Sequence, residues 1–250
     1  MPLPPVGLQF IVFGKKYRLD EHADVMLDAV AQAGYAGVEC GAPKDLPGFL
    51  QKLKSRGLKL GGAHAGLRNL LDPKPFIEYL HAGGASDLCN SGLLDWNKRA
   101  LQDWKEAIVK LNEIGRQLRR EGIRLHYHNH DFEFAKVDGE KTGMDLLLDG
   151  LQPDACDLCV DVAWVLRGGS DPAEFLRKHK DRITYLHLKD FNDEGWIELG
   201  QGKVNFAEVL KAAEELPKVS WAMIEQDQTR IDPLDSIRIS REYLKKTFGY

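Results

Sequence analysis

Apolar and polar positions repeat one alternation eight times along this chain. A short apolar run is followed by a longer stretch in which apolar residues recur every three or four positions. The runs predict strands at 6–13, 35–40, 58–64, 86–90, 123–130, 157–163, 183–189 and 221–226. The stretches between them predict helices at 21–33, 45–56, 73–82, 98–121, 143–150, 172–180, 205–216 and 233–247. In the longest of these, Leu101, Trp104, Ile108, Leu111, Ile114 and Leu118 fall on one buried face. Local signals agree with the boundaries. Ser170 or Asp171 is placed to cap a helix that opens with Pro172, and Asn205 with Glu208 reads as most of a capping box. Gly34, Gly57 and Gly122 stand where helices end and strands begin, the place for a left-handed residue. Strands and helices in strict alternation imply a parallel sheet with right-handed crossovers. Eight units predict a closed (β/α)8 TIM barrel, an α/β fold forming one domain over 1–250. No G-x-G-x-x-G follows the first strand, which lowers the case for a dinucleotide-binding sheet.

Charge narrows the partners. With 34 basic and 38 acidic residues the net charge is −4, so there is no electrostatic reason to expect nucleic acid or an anionic membrane. The N-terminal stretch lacks the basic-then-apolar pattern of a signal peptide, and no apolar run approaches the roughly 20 residues needed to span a bilayer. A cytoplasmic location is therefore expected. Cys156 and Cys159 form a C-x-x-C that leads into a strand rather than a helix, and no second such pair exists, so both are read as structural.

Alternation along the strands then sorts side chains by face. With Leu186 and Leu188 toward the helices, Tyr185, His187 and Lys189 point into the barrel. By the same rule Met223 and Glu225, Cys159 and Asp161, and His126, His128 and His130 point inward, as do Glu39 and His64. Six strands thus end in inward ionisable residues, which an apolar core would not tolerate without partners. At the C-terminal mouth of a barrel, His128, Asp161, His187 and Glu225 converge as a metal site would. Residues i and i+2 lie about 6.6–6.8 Å apart along a strand, so three strand-5 histidines cannot all reach one ion; His126, the deepest, is read as structural. Lys189 with Asp190 could equally form a surface ion pair. The G-Q-G at 200–202 fits a plain turn better than a phosphate cradle.

The segments "HYHNHDFEF", "CVDVAWVLRGGSDPAEFLRKHKDRITYLHLKDF", "ELGQGKVNF" and "MIEQD" resemble the xylose-isomerase-like TIM barrels, the sugar phosphate isomerase/epimerase group. The resemblance spans essentially the whole chain and is strongest over 123–246. It implies one divalent ion (Mn, Zn, Co or Fe) held by a strand-5 residue, Asp161, His187 and Glu225. The family usually has glutamate on strand 5; here His128 aligns with it, with His130 and Glu133 as the nearby alternatives. In the family's epimerases the strand-5 and strand-8 carboxylates work on opposite faces of the substrate, so that scheme does not transfer unchanged.

What the resemblance implies is an isomerase or epimerase acting on a small carbohydrate, a sugar, sugar phosphate or keto-sugar. The ion would chelate adjacent oxygens and stabilise an enediolate after removal of the alpha proton. Glu225, Glu133 and His130 are the candidate acid/base groups, and Glu39, His64, Trp164 and Lys189 the candidate substrate contacts. A lyase or dehydratase acting on a keto-sugar or inosose is the alternative on the same site. A non-catalytic sugar-binding barrel and an apurinic-site endonuclease are the more distant readings. A homo-oligomer is compatible with the sequence, which does not specify the assembly.

Overall fold

The computed structural model describes residues 3–250. Its core is a closed barrel of eight parallel strands, here numbered β1 to β8, that follow chain order around the ring. They are β1 (Val6–Gln9), β2 (Gly37–Glu39), β3 (Lys59–Gly66), β4 (Asp87–Ser91), β5 (Arg124–His128), β6 (Cys156–Asp161), β7 (Ile183–Leu188) and β8 (Ala222–Ile224). The ring closes where β1 pairs with β8, Val6 opposite Ala222 and Leu8 opposite Ile224.

Outward residues of the strands, such as Leu8, Val38, Leu125, Leu158, Leu186 and Ile224, are buried beneath the helical layer. Burying each such side chain contributes about 1.5–3 kcal/mol. The barrel interior is a separate small cluster of Cys89, Cys159, Tyr185, Trp221 and Met223. Met223 fits there because two strands carry no side chain facing it. A Cβ on Gly7 would fall 2.2 Å from its sulfur, and one on Gly61 2.3 Å from its methyl.

The expected helices are present, including the long one at Leu101–Arg120 and the last at Pro233–Phe248. Asp171 rather than Ser170 caps Pro172–Lys178, and the Asn205 side chain accepts from Glu208 N–H. Gly34, Gly57 and Gly122 take positive φ.

Three features depart from the sequence expectation. The first strand stops at Gln9 and continues as a 3-10 turn, Phe10–Phe13. The sixth stops at Asp161, where a further helix, Val162–Arg167, begins. Its sequence is as apolar as a strand, so periodicity could not separate the two; the capping aspartate makes the switch. Two antiparallel hairpins, Lys136–Asp138 with Lys141–Thr142 and Asp190–Asn192 with Gly195–Ile197, extend the loops after β5 and β7. Among the described residues no helix is long and apolar enough to cross a membrane.

Candidate metal centre and cavity

Four adjacent strand ends deliver the site. His128 ends β5, Asp161 ends β6, His187 lies one residue before the end of β7 and Glu225 follows β8. One donor atom from each lies within 4.8 Å of the other three. Their neighbours fix the free atom on each side chain. Asp161 caps the helix that follows it, so its Oδ1 accepts from the N–H groups of Ala163 and Trp164, both at 3.0 Å. Asn129 ties the ends of β5 and β6 together, accepting from Asp161 N–H at 3.0 Å. Glu225 Oε1 accepts from Lys189 at 2.9 Å. His187 Nε2 lies 3.2 Å from Glu39 Oε2, and His128 Nδ1 lies 3.4 Å from Ser91 Oγ.

What remains is one buried atom per residue with no hydrogen-bond partner outside the cluster: His128 Nε2, Asp161 Oδ2, His187 Nδ1 and Glu225 Oε2. These face one another, with Nε2 of His128 3.5 Å from Asp161 and 3.8 Å from Glu225, and His187 Nδ1 2.5 Å from Glu225. Buried polar atoms are normally satisfied. Four that meet only one another, all aimed at one point, are what a cation with ligand distances near 2.0–2.2 Å requires. The residues present fit a divalent ion.

Electrostatics set the four groups apart. Burial and the neighbouring His187 hold His128 well below the usual imidazole range, which favours the neutral ligand form. Burial also pulls on His187, but the carboxylates of Glu39 and Glu225 outweigh it and hold that ring well above its ordinary value. Glu225 is buried too, yet Lys189 and His187 keep it well below the carboxylate range. Asp161 is raised by burial against the pull of Lys189.

His128 and Glu225 of the cluster line a cavity of about 800 Å³ at the barrel mouth. Trp96, Phe132 and Trp164 supply aromatic walls, while His64, His130 and Asp227 supply polar edges. His130 is stacked on Phe132 with ring centroids 5.5 Å apart, and its Nδ1 has no hydrogen-bond partner.

Other expected site residues sit elsewhere. Glu39 is fully buried and bridges His64 and His187. Lys189 is fully buried among Asp161, Glu225 and Asp227, so the surface ion pair expected of it does not form. Glu133 does not supply a carboxylate to the centre. It accepts from Tyr127 Oη at 2.9 Å, on the outward face of β5, and from His130 N–H at 2.7 Å. His126 lies below the centre, bonded to Asp87 and Thr184, in the structural place expected of it.

The G-Q-G loop is already filled. The Asp190 carboxylate accepts from the N–H groups of Phe191, Gly200, Gly202 and Val204 at 2.9–3.1 Å. A Cβ on Gly202 would fall 2.1 Å from Asp190 Oδ1, which is why glycine stands there.

Sequence reasoning passed over Ser91 and Asp227. Asp227 repeats the inward spacing two residues after Glu225, a signal that was readable. Ser91 ends β4 without any charge to mark it.

A family model for the xylose isomerase-like TIM barrel matches residues 27–247. The chain belongs to that family. Among curated proteins it is similar to inosose dehydratase of Lacticaseibacillus casei, 26% identical over 271 residues and 89% of each chain. Among solved structures it is similar to a sugar phosphate isomerase/epimerase from Parabacteroides distasonis, with TM-score 0.84 and 22% identity over 99% of this chain and 96% of that one. It is also similar to IOLI protein with a binding zinc atom, with TM-score 0.76 and 14% identity over 98% of this chain and 100% of that one. At these identities the structural likenesses speak for the fold.

Proposed function

We propose that this chain is a divalent-metal-dependent dehydratase acting on an unphosphorylated keto-sugar or keto-cyclitol. His128, Asp161, His187 and Glu225 would hold the ion. Two imidazoles and two carboxylates suit Mn²⁺, Zn²⁺, Co²⁺ or Fe²⁺. A bound ion would supply Lewis acidity at the substrate carbonyl. The similarity to IOLI protein, described with a binding zinc atom, supports a bound metal.

One observation carries the choice of reaction. The strand-5 position is histidine, and the oxygens of Asp161 and Glu225 are engaged by the helix N-terminus, by Lys189 and by the metal cluster. A scheme with two free carboxylates on opposite faces therefore lacks its carboxylates. His130 is a cavity imidazole outside the metal cluster with an unpaired ring nitrogen, whereas the unpaired indole nitrogen of Trp164 can only donate. It removes the proton alpha to the carbonyl, and the resulting imidazolium protonates the departing beta-hydroxyl, which leaves as water. One group serves both steps, where epimerisation needs two. The similarity to inosose dehydratase supports the same order of preference, reversing the expectation from sequence.

Two features favour an uncharged substrate. No lysine or arginine is among the described residues lining the cavity. Barrel enzymes frequently bind phosphate at the loops after strands seven and eight, and in the loop after β7 the N–H groups are occupied by Asp190. Aromatic walls with polar edges suit a polyol with one apolar face.

The test is product analysis by NMR in deuterated water, with inososes, free ketoses and their phosphates as substrates and Mn²⁺, Co²⁺ or Zn²⁺ added. Loss of water to a deoxy or unsaturated keto product is expected. A deuterated isomer formed without loss of water would restore the isomerase reading. Preferential turnover of the phosphates would sink the unphosphorylated substrate.

A further inference from the structure

The two histidines of the cluster face a tautomer problem. Each must present one bare nitrogen, and they must present different ones: Nε2 from His128 and Nδ1 from His187. A neutral imidazole carries its proton on either nitrogen, and the hydrogen bond made by the other nitrogen decides which.

The structure contains a chain of contacts that makes this decision from one end. Glu39 is fully buried, with Oε1 2.9 Å from His64 Nδ1 and Oε2 3.2 Å from His187 Nε2. His64 Nε2 contacts Ser91 Oγ, and Ser91 Oγ lies 3.4 Å from His128 Nδ1. An ionised carboxylate only accepts hydrogen bonds. Both nitrogens facing Glu39 therefore carry hydrogen. On the first branch this makes Nδ1 the nitrogen that gives up its proton when His187 becomes a neutral ligand. On the second it leaves His64 Nε2 bare, so Ser91 donates its hydrogen there. The serine oxygen can then only accept, which places a hydrogen on His128 Nδ1 and leaves its Nε2 bare. The nitrogens assigned in this way are the two that lack partners in the cluster.

We infer that Glu39 is the positioning residue of the metal centre: it sets the tautomer of His187 directly and that of His128 through His64 and Ser91. This rests on the reading that His128, Asp161, His187 and Glu225 bind a divalent ion. Glu39, His64, Cys89 and His187 could themselves be taken for a second metal site. Hydrogen-bond spacing at both oxygens of Glu39 favours the relay.

The relay makes a sharp statement about Glu39→Gln. An amide accepts with its oxygen and donates with its nitrogen. If the nitrogen faces His187, that ring must be bare at Nε2 and carries its proton at Nδ1, toward the ion. If it faces His64, every hydrogen on the second branch reverses, and His128 carries its proton at Nε2. Either orientation blocks one ligand.

The experiment uses the full chain and Zn²⁺ alone. The affinity of wild type and of Glu39→Gln, Ser91→Ala and Ser91→Thr is measured by competition with a chromogenic chelator, with circular dichroism to verify folding. Glu39→Gln is expected to bind about 10–100-fold more weakly, the usual range for loss of such support. Ser91→Ala, which cuts only the His128 branch, is expected to bind less weakly than that, and Ser91→Thr, which keeps the hydroxyl, to restore the affinity. Long-range ¹H–¹⁵N spectra of the Zn²⁺-loaded wild type should show one histidine bound through Nε2 with hydrogen on Nδ1, and one with the reverse.

Two histidines bound through the same type of nitrogen would overturn the relay. So would unaltered affinity in folded Glu39→Gln and Ser91→Ala, or two Zn²⁺ per chain with one lost in Cys89→Ala. Each of these leaves the metal reading standing. Wild type that binds no Zn²⁺ would overturn both.

Discussion

His126 and His128 stand two residues apart on one strand, point to the same side and are both buried, yet their surroundings differ. At His126 the account closes: Nδ1 is 2.8 Å from Thr184 Oγ1, Nε2 is 2.9 Å from Asp87 Oδ1, and Asp87 is paired with Arg124 at 2.9 Å. At His128 it stays open, because one atom on each of four residues has no partner outside the cluster. Burial of a histidine beside a carboxylate is thus common to a structural cluster and a candidate centre. Unpaired, convergent lone pairs separate the two.

The largest effect that tests this contrast is removal of both carboxylates at the mouth. Asp161→Ala/Glu225→Ala should abolish metal retention and activity while the fold persists, as checked by metal analysis and turnover. Next is His130→Gln, which should lower kcat by about 10²–10⁴-fold, the range for loss of a general acid/base, with metal content unchanged. The two clusters can then be set against each other directly. His126→Ala should cost about 2–3 kcal/mol of stability in denaturant titration, by leaving buried partners unsatisfied. His128→Ala should cost the metal-free protein less than that, because only one of its two ring nitrogens has a hydrogen-bond partner. Equal losses from the two would break the comparison.

A pH series sharpens it further. In the metal-free protein His187 is held well above its ordinary value by Glu39 and Glu225, against burial. The stability it contributes is therefore present below about pH 6.5 and is lost as pH rises through the folded value. Metal must displace that proton, so affinity should keep rising with pH through neutrality, rather than level off above the ordinary histidine range. Chelator competition at pH 6, 7 and 8 measures this. The smallest effect is Thr184→Val, which removes one partner of His126. It should cost about 1 kcal/mol and leave metal affinity as it was.

Much of this could be read from the chain. Two-residue alternation placed His128, Asp161, His187 and Glu225 on inward faces, because strand geometry leaves only two faces to choose from. Glu39 and Lys189 have surroundings that alternation does not give: it says that a side chain points inward, not what it meets there. Lys189 points inward and meets three carboxylates. The helix after Asp161 was missed because its apolar run has no period that separates strand from helix.

By itself, the sequence determined the eight-unit barrel, its core and the strand ends that carry the candidate centre, since each follows from periodicity and local capping along the chain. Only the tertiary structure decided which buried groups are satisfied and which are left open. Those hydrogen bonds join residues as distant as Glu39 and His187. Their geometry depends on how the barrel closes, which no local pattern encodes.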